Sequence, residues 1–123
     1  MTPLPECVLR GVAEFNRREF FEAHETLEEA WAEENGHLRI FYQGVIQIAV
    51  GCAHIQRGNF TGASHMLARG QAKVVAEAAF SPGIDAKALL AAAVACEDEM
   101  RRLGPERIAE FDPARYPVLS IQP

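Results

Sequence analysis

Apolar residues recur at helical spacing along almost the whole chain, and no segment shows the strict apolar and polar alternation of a half-buried strand. The pattern predicts an all-α fold in which residues 1–123 form one domain, an antiparallel bundle of about five helices. The predicted helices cover approximately residues 5–15, 19–34, 38–57, 59–79 and 85–103.

Short breaker segments separate these helices. They share residues that favour turns and positive φ, and they are Asn35-Gly36, Gly58, Ser81-Pro82-Gly83 and Gly104-Pro105. Asn59 and Asp85 are expected to cap the N-termini of the fourth and fifth helices. The C-terminal tail, about residues 105–123, holds four of the seven prolines. We expect it to form a short helical turn at 107–111 and then to pack in an extended form against the bundle.

Two segments of the chain have similar sequences. Their matching residues are separated by a constant number of positions, which is the separation between Arg17 and Arg57. Four residues of the first copy recur at matching helical phase in the second: Arg17, Phe20, Ala23 and Leu27 align with Arg57, Phe60, Ala63 and Leu67. The alignment predicts two related helical hairpins, similar to tetratricopeptide units. Two copies are fewer than the ~3 that a solenoid needs, so a compact bundle is the expected result.

The third predicted helix is apolar on nearly all sides and reads as a core helix. Its apolar run, Ile40 to Gln56, is interrupted by polar residues and falls short of the ~20 predominantly apolar residues of a membrane span. Gly44 and Gly51 lie a heptad apart on one face of this helix. They predict the close approach of another helix.

The second predicted helix carries two polar residues, His24 and Glu28, within its apolar arc. They are four residues apart, so their side chains lie one turn apart on the same face. In the second copy of the repeat, Ser64 and Ala68 stand at these positions. A helix with this packing pattern therefore does not need the polar pair.

The third helix has a narrow polar stripe of its own. Gln43, Gln47 and His54 lie within roughly 40° of one another around the helix axis. If the second and third helices form an antiparallel hairpin, this stripe can face His24 and Glu28. We therefore expect a polar cluster inside the bundle.

An unpaired buried carboxylate is costly, so Glu28 needs a partner. In a structural interpretation it accepts hydrogen bonds from His24 and a glutamine amide, in a network that fixes helix register. In a functional interpretation His24 and Glu28 bind a small ligand or a divalent metal, with zinc, manganese, iron and nickel all compatible with nitrogen and oxygen ligands. The residues that would support this site or line its pocket are Glu25, Trp31, Gln43, Gln47 and His54.

If the chain is an enzyme, the cluster favours a metal-dependent hydrolase, with Glu25 as the nearest base for a metal-activated water. The sequence contains no phosphate-binding glycine loop, nucleophile elbow or Cys–His arrangement that would indicate another class. The competing hypothesis is a helical protein-interaction module. In that module the polar cluster would be structural, and an outer surface would bind the partner.

The composition of the chain argues against some classes of binding partner. The net charge of -5, from 17 acidic and 12 basic residues, argues against binding to nucleic acid or to an anionic membrane. Residues 1–6 have neither the basic start nor the apolar run of a signal peptide. Cys7, Cys52 and Cys96 are odd in number and widely spaced, which predicts buried thiols rather than a disulfide framework. We expect a cytoplasmic protein, and a homodimer if it self-associates.

The segment His24-Glu-Thr-Leu-Glu28-Glu-Ala-Trp31 carries a family resemblance. It is similar to the hallmark of the bacterial and archaeal family catalogued as domain of unknown function 309: a histidine, three residues, a glutamate, two residues, then tryptophan or tyrosine. Further matching stretches bring the resemblance to about residues 12–75, and they are Phe15-Asn16, Tyr42-Gln-Gly-Val-Ile-Gln47 and Arg57-Gly-Asn-Phe-Thr-Gly-Ala63. The resemblance implies an all-helical bundle and a suspected metal role for His24 and Glu28. It implies no substrate.

Overall fold

The computed structural model describes residues 4–81 and 83–122, so residues 1–3, the predicted breaker Pro82 and the terminal Pro123 lie outside the described residues. Within them the chain forms five α-helices, which confirms the all-α fold class. They are α1 (Glu6–Asn16), α2 (Phe20–Glu33), α3 (Gly36–Gln56), α4 (Phe60–Glu77) and α5 (Ala86–Arg107). Single 3-10 turns follow at Ala78–Phe80, Ile108–Glu110 and Pro113–Arg115.

The central element is α3. It packs against α2 on one flank and α4 on the other, while α1 lies on α2 and α5 lies on α4. By length and composition alone α3 could cross a membrane, but 61% of its most apolar window is buried inside the protein. That burial is the one expected of a core helix.

The two hairpins α1–α2 and α3–α4 are equivalent in packing. A Cβ atom at Gly11 would lie 2.6 Å from Leu27 Cδ2, and one at Gly51 would lie 2.8 Å from Leu67 Cγ. The two glycines and the two leucines are each separated by the offset of the repeat, so each hairpin packs a leucine of its second helix onto a glycine of its first. The predicted repeat is confirmed, and it extends back to Gly11.

The turns of the two hairpins are equivalent as well. Arg18 and Gly58 both have left-handed backbones, with φ of 66° and 75°. The amides of residues 17–19 bond to the end of α1 as the amides of residues 57–59 bond to the end of α3, with every donor shifted by the offset of the repeat. α2 and α4 therefore begin at matching positions, Phe20 and Phe60.

α3 and α4 approach until their backbones touch. A Cβ atom at Gly70 would lie 2.6 Å from the carbonyl oxygen of Gly44 and 2.8 Å from the amide nitrogen of Ile48. Only glycine leaves room for that contact. The predicted role of Gly44 and Gly51 in close packing is confirmed, and Gly70 is the partner in α4 that spacing on α3 alone did not reveal.

Helix ends follow the local signals closely. The side chains of Asn59 and Asp85 cap α4 and α5 by accepting from the amides of Gly62 and Ala88, as predicted. The expected stop at Gly104 was only partly right. Its φ of 74° interrupts α5, but the helix resumes for one more turn, because proline fits the first turn of a new helical segment.

The C-terminal segment returns to the N-terminal half of the bundle. Asn16 Nδ2 donates to the Leu119 carbonyl over 2.9 Å, and Asn16 Oδ1 accepts from the Leu119 amide over 2.7 Å. Further along, the Asp85 amide donates to the Ser120 carbonyl over 2.8 Å. Two points, one on α1 and one before α5, therefore hold this segment.

Replacing Gly70 with Ala is expected to destabilise the protein by about 1–3 kcal/mol, because the added methyl group meets backbone that cannot move aside. The sign of the change in the free energy of unfolding shows whether the two backbones touch, since Gly→Ala at an unobstructed helix position stabilises a protein by roughly 1 kcal/mol. Urea unfolding followed by circular dichroism measures the change. A stabilised variant would show that α3 and α4 do not touch at this point.

Replacing Asn16 with Ala is expected to cost about 1–3 kcal/mol, because both backbone groups of Leu119 lose their partner. Asn35→Ala is the matched control, since the Asn35 side chain makes no capping hydrogen bond. The free energy of unfolding in urea measures both. Equal losses in the two variants would mean that Asn16 does not hold the C-terminal segment.

Candidate functional site

His24 is held in one orientation by its own helix. Its side chain is only 19% exposed, and Nδ1 donates a hydrogen bond to the carbonyl oxygen of Phe21. With the proton on Nδ1, the neutral imidazole keeps a lone pair on Nε2. That atom lies 3.5 Å from Oε1 of Glu28. The predicted pairing of the two side chains across one helical turn is confirmed.

The expectation that Glu28 is buried was wrong, because its side chain is 54% exposed. The buried face of α2 is narrower than the apolar arc of the sequence suggested, and Phe21, on the same side as Glu28, is itself 42% exposed. A carboxylate in water needs no buried partner. The structural interpretation, a buried network that compensates Glu28, therefore loses its premise.

The polar stripe of α3 turns toward α4 rather than α2. Gln47 Oε1 accepts from Lys73 Nζ over 2.9 Å, and Nδ2 of Asn59 lies 3.2 Å from Nδ1 of His54. Gln43 is half-buried on the same stripe. Within residues 4–81 and 83–122 no hydrogen bond joins this stripe to His24 or Glu28, so the expected contact between the two helices is not observed.

Two further predicted site residues lie on α2. Glu25 is exposed. Trp31 is half-buried, and the guanidinium of Arg39 sits 4.1 Å from its ring centroid. In the described part of the chain no three His, Cys, Asp or Glu side chains are close enough to share a metal ion. The fold therefore brings together only His24 and Glu28 among the predicted acidic and histidine residues.

An aromatic contact connects His24 to the end of α3. The ring of Phe21 meets the imidazole edge on, with centroids 4.9 Å apart. The guanidinium of Arg57 also lies on the ring of Phe21, 5.0 Å from the ring centroid. Phe21 therefore packs between a cation and the histidine, and it adds a second constraint on the orientation of the imidazole.

Comparison with known proteins finds one matching family. Residues 8–66 match the family described as Domain of unknown function (DUF309). Within this segment, just under half of the chain, the sequence is similar to the DUF309 family. The segment contains His24, Glu28 and the whole of α2 and α3, and it confirms the resemblance seen in the sequence.

One relative in this comparison is the uncharacterized protein YpuF of Bacillus subtilis (strain 168). It is 38% identical over 66 residues, which are 52% of this chain and 38% of the relative. The chain thus matches less than half of that relative's length. No solved structure matches the chain.

A second histidine pair was not predicted, and it joins the DUF309 segment to residues beyond that segment. Nδ1 of His37 lies 2.7 Å from Oε2 of Glu77, and the imidazole stacks on Phe80 with centroids 3.8 Å apart. His37 is at the surface, as expected, but its partners come from the far end of α4 and the 3-10 turn that follows it. Only the antiparallel pairing of α3 with α4 could have revealed them.

Cys52 offers no reactive thiolate. All three cysteines are free, with Cys52 and Cys96 buried and Cys7 half-buried. Burial, and secondarily a hydrogen bond with Cys96, raises the pKa of the Cys52 thiol. A thiol in this environment is protonated and inert.

Replacing Glu28 with Gln is expected to change the free energy of unfolding by less than about 1 kcal/mol, since exposed ion pairs on helices contribute little. The matched control is Glu29→Gln, which removes an exposed ion pair with Arg10 from the same helix. Urea unfolding of the metal-free proteins compares them. A loss of ~3 kcal/mol or more in the Glu28 variant alone would restore the buried network.

Proposed function

We propose that this chain binds a divalent transition-metal ion through His24 and Glu28. The observation that carries the proposal is the 3.5 Å separation of Nε2 and Oε1. Two ligand atoms, each about 2.1 Å from a zinc ion and separated by a tetrahedral angle, lie roughly 3.4 Å apart. The two side chains are therefore spaced as neighbouring ligands of one ion without any change in the helix.

The orientation of His24 also supports the proposal. Histidines that bind metals usually donate their second ring N–H to a carbonyl or carboxylate, which fixes the tautomer and directs the lone pair at the ion. The carbonyl of Phe21 fills this role for Nδ1. Because Glu28 is half exposed, a cation can reach its carboxylate directly from the solvent.

Two protein ligands define what kind of site this is. Structural zinc sites use four protein ligands and catalytic ones about three, so the remaining positions would go to water, a small ligand or a donor from another chain. We infer an exchangeable ion bound with modest affinity, with zinc, manganese, iron and nickel all admitted by the mixed donor set. A bound ion would act as a Lewis acid toward an oxygen-bearing ligand. Gln47 and His54 are engaged with α4 and stand outside this donor set.

The proposal is for binding and does not extend to a reaction. The base expected of a metal-dependent hydrolase, Glu25, is exposed and makes no hydrogen bond within the described residues. No hydrogen bond of this kind therefore fixes its carboxylate toward an ion held by His24 and Glu28. A general base needs such positioning.

A protein-interaction module remains the second candidate function. Exposed apolar side chains favour it: Phe21, which contacts His24, is 42% exposed, and Ile40, on α3, is 39% exposed. Aromatic and aliphatic side chains of this kind are common anchors in interfaces. A partner bound by these side chains would need neither His24 nor a metal, so a metal-dependent change in stability separates the two functions.

Adding metal to chelator-treated, tag-free protein is expected to raise Tm. At a free ion concentration ten times Kd the stabilisation is about 1.4 kcal/mol, or roughly 5 °C for a domain of this size. Differential scanning calorimetry with zinc, manganese, iron(II) and nickel measures the shift. His24→Gln and Glu28→Gln should each abolish it, because one remaining ligand cannot hold the ion.

Two matched variants serve as controls for this experiment. His65→Gln changes an exposed histidine of α4, and Glu25→Gln changes the acid next to the pair; both should keep the wild-type shift. The absence of a shift with all four metals, or a shift retained in both site variants, would refute the proposal.

A further inference from the structure

A cavity of about 450 Å³ lies where the two equivalent turns meet the C-terminal segment. Its walls include the apolar side chains of Ile55, Ile108 and Phe111, and its polar lining includes Arg18 and Arg57. The volume is within the ~300–1,000 Å³ range of small-molecule sites. The cavity shares no residue with the His24 and Glu28 pair.

Arg18 stands where the backbone favours glycine. Its φ of 66° is in the left-handed region, which is strained for a residue with a Cβ. The equivalent position of the second hairpin is Gly58, with φ of 75°. The first copy therefore keeps an arginine side chain at a conformational cost that the second copy avoids. Backbone strain of this kind clusters at functional sites.

The strained turn is fixed in place. Gln56, at the end of α3, donates from Nε2 to the carbonyl oxygen of Arg18 over 2.9 Å. This bond ties the first turn to the second beside the cavity. The backbone positions from which Arg18 and Arg57 extend are therefore held relative to each other, which reduces the ordering that a ligand would need.

The charges of these two arginines are uncompensated. Neither makes an ion pair within residues 4–81 and 83–122, whereas the neighbouring Arg17 pairs with Glu19 and Arg107 pairs with Glu110. Among the residues that the structure describes, the cavity lining contains no acidic residue. Arg57 does stack on Phe21, a contact that leaves its charge unneutralised. Both arginines follow the C-terminus of a helix, α1 or α3, where the free carbonyls carry a partial negative charge.

We propose that this cavity binds a small organic anion with an apolar body and a terminal carboxylate. Guanidinium groups bind carboxylates through paired, charge-assisted hydrogen bonds, while the apolar wall buries the rest of the molecule. Tyr116, also in the lining, has a phenol whose pKa burial raises, so its hydroxyl stays protonated and able to donate to the anion. The inference does not depend on metal binding.

The test uses three probes on the metal-free full chain. 3-Phenylpropionate has both features, 3-phenylpropionamide lacks the charge, and propionate lacks the apolar body. The amide NMR shifts of Gly58 and Ile108 should move when 3-phenylpropionate is added. Each of the other two probes should bind at least roughly tenfold more weakly, because each has lost one charged or apolar interaction. Equal binding of acid and amide, or no binding at millimolar concentration, would overturn the proposal.

The variants separate a binding role from a structural one. Arg18→Gly should keep or raise Tm, because glycine accepts the left-handed backbone, while weakening 3-phenylpropionate at least roughly tenfold. Arg57→Gln should weaken the probe in the same way. Arg17→Gln is the matched control, since Arg17 does not line the cavity, and it should bind as wild type.

If the two arginines only offset the partial negative charge at the C-termini of the helices, the variants should give the opposite results. Arg18→Gly would then lower Tm and leave probe binding absent or unchanged, which contradicts the proposal. Should Arg57→Gln fail to fold after losing its contact with Phe21, Arg18→Gly decides the matter alone. All measurements are made in chelator, so their failure leaves the metal proposal untouched.

Discussion

The packing of a leucine onto a glycine, repeated in each hairpin, is the constraint on which the rest of the structure depends. Gly11 accepts Leu27, and Gly51 accepts Leu67. Because each contact brings two helix backbones close together, the hairpins become rigid pairs with equivalent turns. α3 then lies against both α2 and α4, and its Gly44 backbone touches α4. The polar side chains of α3 reach α4 for this reason, and the polar pair of α2 is left at the edge of the bundle.

Local sequence signals predicted what depends on one helix or one turn. The caps Asn59 and Asp85 and the pairing of His24 with Glu28 follow from spacings of three or four residues, which the helix geometry fixes. The hairpin repeat was readable because packing positions recur at the same phase. Of the candidate site, the spacing therefore predicted the contact between His24 and Glu28.

Contacts that depend on the rotation of one helix relative to another could not be predicted. Each residue turns the helix by roughly 100°, so a small rotation of α3 decides whether Gln47 faces α2 or α4. The same limit explains why Glu28 was expected inside the bundle and why the contact between His37 and Glu77 was missed. The cavity could not be seen either, because the C-terminal segment that helps to line it comes from the other end of the chain.

The repeat also separates what the scaffold needs from what it does not. Both copies keep the glycine and leucine of the packing contact, while the first copy alone has Arg18, His24 and Glu28 where the second has glycine, serine and alanine. Since the second copy packs well without them, these three side chains are not required by the fold. The cavity and the polar pair are also in contact through Phe21: Arg57 of the cavity lies on Phe21, and Phe21 lies against His24. An anion that draws the Arg57 guanidinium into the cavity would remove one of the two groups that hold Phe21, and it would thereby loosen the imidazole. Ligand binding at the turns and metal binding on α2 would then be coupled, and thermodynamic linkage requires the coupling to act equally in both directions.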